Sequence, residues 1–181
     1  MFSMIISNEY AGHSAPLIAL FEETFTASEG AEEGAMIAQF VANMLKTPPK
    51  DFRVYMAWEE GILAGAIVFS RLCYQEDPRT VFILSPVAIL PSYQKKKIGQ
   101  GLIHHGLAAL KAEGVDVVLT YGDPAYYQKV GFGVITEEIA KAPLPLSMPE
   151  GWLGQSLTGD ALRPLRGSST CVAALNFPAL W

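Results

Sequence analysis

Pro86-Val87-Ala88-Ile89-Leu90-Pro91-Ser92-Tyr93-Gln94-Lys95-Lys96-Lys97-Ile98-Gly99-Gln100-Gly101 is the stretch on which the fold reading turns. An apolar run ends at a proline, enters a short polar and basic loop, and passes through Gly99 into an amphipathic segment. That order describes a strand–loop–helix unit. The first turn of such a helix carries N–H groups without intrahelical acceptors, and the helix dipole adds partial positive charge there. Both favour an anion, and three lysines strengthen the reading of the loop as a phosphate site. Two other phosphate loops are excluded by spacing: no Gly-x-x-x-x-Gly-Lys-Ser/Thr occurs, and no Gly-x-Gly-x-x-Gly opens the helix. Pro86 is out of place inside a strand, because proline removes a ladder donor and is tolerated mainly at edges, strand starts or bulges. A bulge there would turn backbone groups of Val87, Ala88 and Ile89 away from the neighbouring strand.

A second segment adds to this: Gly122-Asp123-Pro124-Ala125-Tyr126-Tyr127-Gln128-Lys129-Val130-Gly131-Phe132. Asp123 caps a helix, Pro124 suits its first turn and Gly131 suits its exit.

Together these segments resemble the GNAT superfamily of N-acetyltransferases. Gln94-Lys95-Lys96-Lys97-Ile98-Gly99 is similar to that family's coenzyme A loop, Gln/Arg-x-x-Gly-x-Gly/Ala, with Lys97 standing where the first glycine belongs. A left-handed backbone at that position costs a lysine about 1 kcal/mol. Tyr127-Gln128-Lys129-Val130-Gly131-Phe132 resembles the family's Tyr-x-Lys-x-Gly-Phe. The Gly-Asp-Pro-x-Tyr-Tyr form looks like a bacterial subgroup of small GNAT enzymes. The resemblance is specific from Phe52 to Phe132.

The resemblance implies an α/β (α+β) fold: a GNAT-like mixed, mostly antiparallel central sheet of about six to seven strands, splayed at strand 4 and flanked by helices. It implies one domain over residues 1–181, with a core motif region 52–132 and a tail 133–181 that completes the sheet. The implied activity is transfer of an acetyl group from acetyl-CoA to a primary amine by direct attack. Acetyl-CoA is then held by Val87, Ala88 and Ile89 on the splayed strand, and by Gln94, Lys95, Lys96, Lys97, Ile98, Gly99 and Gln100 around its pyrophosphate. A strand N–H that stabilises the oxyanion is worth roughly 3–4 kcal/mol where such donors are removed elsewhere. Tyr127 occupies the position of the general acid, and a phenol with a reference pKa of about 10 keeps its proton at neutral pH for the departing thiolate. Tyr126, one residue off, faces elsewhere and packs. No general base is assigned: Phe82-Ile83-Leu84-Ser85-Pro86-Val87 holds no glutamate, and Glu22, Glu23, Glu29, Glu32 and Glu33 read as solvated helix faces. His104 and His105 read as structural or exposed. The alternative activity is a non-catalytic acyl-CoA-binding regulatory module on the same scaffold.

Bulk properties agree. Half of the 181 residues are apolar and 17% are charged, so a sizeable core forms and disorder is excluded as a general description. A formal charge of −5 opposes nucleic-acid binding and makes the lysine loop a local feature. Cys73 and Cys171 have no metal-ligand spacing and make no disulfide framework, so no metal is expected and the thiols read as free in a cytoplasmic protein. The N-terminal residues lack a signal-peptide pattern, and no apolar stretch approaches the roughly 20 residues of a membrane span. The expected partner is a small-molecule amine, and the apolar tail Ala173–Trp181 is a candidate final strand or homodimer contact.

Apolar spacing places strands at 2–7, 52–58, 62–73, 80–90 and 115–121. Helices follow at 14–26, 31–45, from Ile98 to Leu110, and at 124–130. Glu59-Glu60-Gly61 reads as a hairpin turn. In the tail, candidate strands lie at 154–157 and 170–175.

Overall fold

The computed structural model describes residues Met4–Trp181. Its elements run β1 (Met4–Ser7), α1 (Ser14–Glu29), α2 (Ala31–Met44), β2 (Phe52–Glu59), β3 (Ile62–Tyr74), β4 (Val81–Ile89), α3 (Ile98–Ala112), β5 (Val117–Tyr121), α4 (Pro124–Tyr127), β6 (Gly133–Val134), β7 (Trp152–Ser156) and β8 (Ser169–Thr170). The strand order is β1-β2-β3-β4-β5-β7-β6, with β8 paired to β3. This is a mixed α/β sheet in which β4 and β5 run parallel and the pairs β1–β2, β5–β7, β6–β7 and β3–β8 are antiparallel. It has eight strands where the sequence implied six to seven. The two-residue β6 and β8 carry no apolar run to announce them.

The chain folds as two compact units, and β3, β4 and α3 contribute residues to both. The first comprises Met1–Val68 and Pro86–Ile103; the expected strand start at Phe2 lies outside the described residues. In it, α1 buries Leu17, Leu20, Phe21 and Thr24, one face at helical spacing, and α2 buries Phe40, Val41 and Met44. β1 pairs with β2 from Met4 opposite Glu59 to Ser7 opposite Met56. The β2–β3 hairpin turns at Glu60 and Gly61, both left-handed at φ 48° and 81°. Two successive positive φ values give the twist that a two-residue hairpin loop needs, at some strain for the glutamate.

The second unit comprises Phe69–Ser85 and His104–Trp181. Val81–Leu84 pair parallel with Val117–Thr120, and both runs are buried, as expected of parallel strands. β5 also pairs with β7, from Val117 opposite Ser156 to Tyr121 opposite Trp152. Trp152 is fully buried and its indole N–H donates to the Ala140 carbonyl at 2.8 Å. Asp77 organises the loop after β3. Its carboxylate is 2% exposed and accepts from Arg79 Nε at 3.0 Å, Arg79 Nη2 at 2.8 Å and the Arg166 N–H at 3.0 Å.

The tail corrects one expectation. Residues 170–175 do not form a strand: pairing stops at Thr170, and Ala173–Leu175 and Pro178–Leu180 are 3-10 turns. Pro178 has no ladder donor, and the buried Leu175 and Trp181 are reached by turning the chain rather than extending it. Cys73 lies opposite Thr170, and the thiols of Cys73 and Cys171 are both free.

Candidate active site

Proline 86 does not interrupt β4, which runs through it to Ile89. What changes is the pairing. The register with β5 ends at Leu84 opposite Thr120, before the strand itself ends. On the other edge the Leu90 N–H donates to Ala64 O of β3 at 2.8 Å. In a trans peptide the Ile89 carbonyl points the opposite way, and it accepts from Gln94 Nε2 at 2.9 Å. Strand alternation puts the N–H groups of Val87 and Ile89 on that same edge. Gln94 therefore ties the loop back to the strand's last carbonyl.

After a 3-10 turn over Pro91–Tyr93, the loop takes left-handed geometry twice, at Lys95 (φ 64°) and Lys97 (φ 63°). The strain foreseen for a lysine in the glycine position is present, and a second lysine shares it. Alternation into the left-handed region turns successive N–H groups toward one concave side, an arrangement that suits anions. The Lys97 carbonyl accepts the first helical bond of α3 from the Gly101 N–H at 3.0 Å. Ile98, Gly99 and Gln100 are thus the first turn, whose N–H groups have no intrahelical acceptor. These residues fit a diphosphate through backbone donors.

The lysine side chains have further company. Lys96 Nζ lies 5.4 Å from the centroid of the Tyr93 ring. Lys96 and Lys97 line a cleft of about 320 Å³ together with Tyr93 and Glu59. Glu59, at the end of β2, is only 7% exposed, and its hydrogen-bonded carboxylate raises the Tyr93 phenol above its ordinary pKa. The sequence reading treated Glu59 as a turn residue and missed it, because a glutamate before Glu-Gly carries no sign of burial. Glu22, Glu23, Glu29, Glu32 and Glu33 are exposed, as are His104 and His105.

Tyr127 belongs to the second unit. Asp123 caps α4 by accepting the Ala125 N–H at 2.9 Å, and Pro124 occupies the first turn. The helix tightens into a 3-10 turn over Gln128–Val130 rather than continuing to Val130 as expected. Gly131, left-handed at φ 92°, ends it, and the Phe132 N–H reaches back to the Tyr127 carbonyl at 3.2 Å. The capping residues thereby fix the backbone on both sides of Tyr127. Its ring meets Tyr126 and Phe132 edge-on at 5.0 and 5.8 Å. Gly122 lies flat beneath it: a Cβ there would stand 2.8 Å from Tyr127 Cε2. Burial pushes the phenol up to about 12, the neighbouring Tyr126 and Asp123 add to that, and a hydrogen bond with Thr120 acts against it. Thr120 is itself buried and donates to the Leu84 carbonyl at 2.7 Å. Thr120 carries no signal in the sequence, since a threonine in an apolar strand is unremarkable there; Gly122 heads the Gly-Asp-Pro-x-Tyr-Tyr segment, but the segment does not announce that it packs against the Tyr127 ring.

The chain also carries detectable relatives. Residues 50–134 match the family model of the acetyltransferase (GNAT) domain. The chain is 32% identical over 122 residues to the uncharacterized N-acetyltransferase YjhQ of Escherichia coli K12, covering 64% of this chain and 66% of that protein. It is 27% identical over 109 residues to the uncharacterized N-acetyltransferase YhbS of the same strain, covering 60% and 65%. The chain thus spans slightly less than two thirds of the length of these curated relatives. Its fold is that of the crystal structure of E. coli YhbS in complex with CoA, with a TM-score of 0.80 at 22% identity over 98% of this chain and 94% of that one. A GNAT family acetyltransferase from Brucella melitensis in complex with acetyl-CoA gives 0.71 at 24% identity over 96% and 99%.

Proposed function

We propose that this chain, which carries a GNAT acetyltransferase domain, transfers the acetyl group of acetyl-CoA directly to the nitrogen of a primary amine. The observation that carries the reading is the Gln94–Gln100 turn, left-handed at Lys95 and Lys97 and opening onto the N-terminus of α3. Acetyl-CoA binds with its diphosphate on the N–H groups of this turn and its amide-bearing arm along the edge of β4 at Val87, Ala88 and Ile89. Support comes from two relatives named as N-acetyltransferases and two structural neighbours that hold CoA or acetyl-CoA.

In the reaction the neutral amine nitrogen attacks the thioester carbonyl carbon. A C–N bond forms, the C–S bond breaks, and the nitrogen gives up one proton to water. Tyr127 protonates the thiolate and recovers its proton from solvent. A phenol near 12 keeps its proton throughout the neutral range. Against a thiol of reference pKa about 8.5, isolated transfer is uphill by about 5 kcal/mol, so it proceeds together with C–S cleavage.

That mismatch, with the absence of any carboxylate on β4, favours a second reading: an acyl-CoA-binding module without turnover. Calorimetry with acetyl-CoA and free-thiol release over a panel of amines separate the two. Saturable binding with amine-dependent thiol release that drops about 100-fold in Tyr127→Phe supports the transferase. Binding without turnover supports the module, and no binding to the folded protein defeats both.

A further inference from the structure

A cleft of about 520 Å³ opens beside the start of α4, within the range of sites that enclose small organic ligands. Resting on the acetyl-transfer reading, we infer that this cleft receives the acceptor, and that the acceptor is a monoamine on an apolar or aromatic body bearing no carboxylate or phosphate.

The walls set the chemistry. Tyr121 and Trp181 stack with centroids 6.2 Å apart and planes 20° from parallel, and Met148 and Leu180 add aliphatic surface. The Tyr121 hydroxyl is already committed: it accepts the Met148 N–H at 2.6 Å and lies 3.2 Å from Ser147 Oγ. The aromatic wall is thus fixed in place, and its polar end is turned into the loop rather than left for a ligand. Among the described residues, the charged side chains lining the cleft are two carboxylates, Asp123 and Glu150, and no lysine, arginine or histidine joins them. Asp123 gives one oxygen to the α4 cap. The Glu150 side chain makes no hydrogen bond or ion pair among the described residues. A concave, partly apolar space with one sign of charge attracts an ammonium and repels anions.

The cleft's position ties it to the chemistry. Gly122 forms part of its wall and is also the residue against which the Tyr127 ring lies. The Gly122 N–H donates to the Gly151 carbonyl at 2.9 Å, and a Cβ on Gly151 would stand 2.9 Å from the Gly122 carbonyl oxygen. Two glycines in contact hold the two lips of the cleft together without filling it.

The matched probes are phenethylamine and phenylalanine, which share a body and differ by a carboxylate, with spermidine as a polycation. Steady-state thiol release is paired with calorimetry of each amine in the absence of acetyl-CoA. Phenethylamine is expected to exceed both others by about tenfold or more in kcat/KM, the scale of one charge contact. Glu150→Lys is expected to raise its KM about tenfold while the KM for acetyl-CoA and the melting temperature stay unchanged; Glu150→Gln does so more weakly. Equal use of phenylalanine or spermidine, or a phenethylamine KM indifferent to Glu150→Lys, overturns the inference and leaves acetyl transfer standing. Binding of phenethylamine that is lost in Glu150→Lys, without turnover of any amine, supports the cleft and overturns the transfer reading instead. Absence of both binding and turnover of phenethylamine overturns the inference.

Discussion

Exchanging Lys97 for glycine and for alanine separates the loop's backbone geometry from its charge. Lys97 sits at φ 63°, where an L-residue pays about 1–2 kcal/mol and glycine pays almost nothing. Both substitutions remove the same ammonium, so their difference reports the backbone alone. Glycine's extra freedom in the unfolded chain costs it about 0.4–1 kcal/mol relative to alanine. The remainder predicts that Lys97→Gly is more stable than Lys97→Ala by about 0.5–1 kcal/mol, or about 1–4 °C in melting temperature for a protein of this size. The control is Lys111, exposed near the end of α3. There the order must reverse, because glycine in a helix is about 1 kcal/mol worse than alanine. Thermal or urea unfolding of the four variants reads both differences. Acetyl-CoA affinity adds a second readout: if backbone N–H groups hold the diphosphate, Lys97→Gly retains the turn and loses only the charge's contribution. If Lys97→Ala proves the more stable at this site, as at Lys111, the left-handed turn is wrong and the anion cradle built on it fails.

Tyr127 and Tyr74 are both held neutral in the fold, Tyr127 near 12 and Tyr74 pushed well above the ordinary value chiefly by burial. The unfolded phenols ionise near 10. Their contribution to stability is therefore full below about pH 10 and falls as pH rises from there through the folded values. Urea midpoints of Tyr74→Phe and Tyr127→Phe should fall less steeply above pH 10 than those of the parent. Asp77 has the opposite sign: the Arg79 guanidinium holds its carboxyl well below the usual carboxylate range. The stability this brings is present above about pH 4 and is lost as pH falls. Asp77→Asn should cost about 2 kcal/mol at pH 7, less than a fully buried pair because Arg79 is partly exposed, and the gap to the parent should narrow in acid; a gap independent of pH would refute the pairing. Gly122→Ala should lower kcat several-fold by displacing the Tyr127 ring, with acetyl-CoA affinity unchanged; an unaltered kcat removes Tyr127 from the chemistry.

How much of this was legible in the sequence depends on how far apart the interacting residues stand. The helices at 14–29 and 31–44, the hairpin at Glu60-Gly61 and the capped turn from Asp123 to Gly131 were readable because periodicity, capping and turn formation act within a few residues. The basic turn from Gln94 to Gln100 was likewise readable as the loop between a strand and a helix, whereas the left-handed backbone at Lys97 followed from the resemblance, which places a glycine there. Tertiary structure alone decided that Glu59 is nearly buried and that the chain after Thr170 turns instead of extending. It also brought Tyr121, Met148 and Trp181 to one cleft and gave Asp77 its partner backbone at Arg166. Each of these depends on residues tens of positions away meeting across a sheet or loop. Local spacing carries no information about which distant wall a side chain will face, because burial and pairing are settled by the packing of the whole fold.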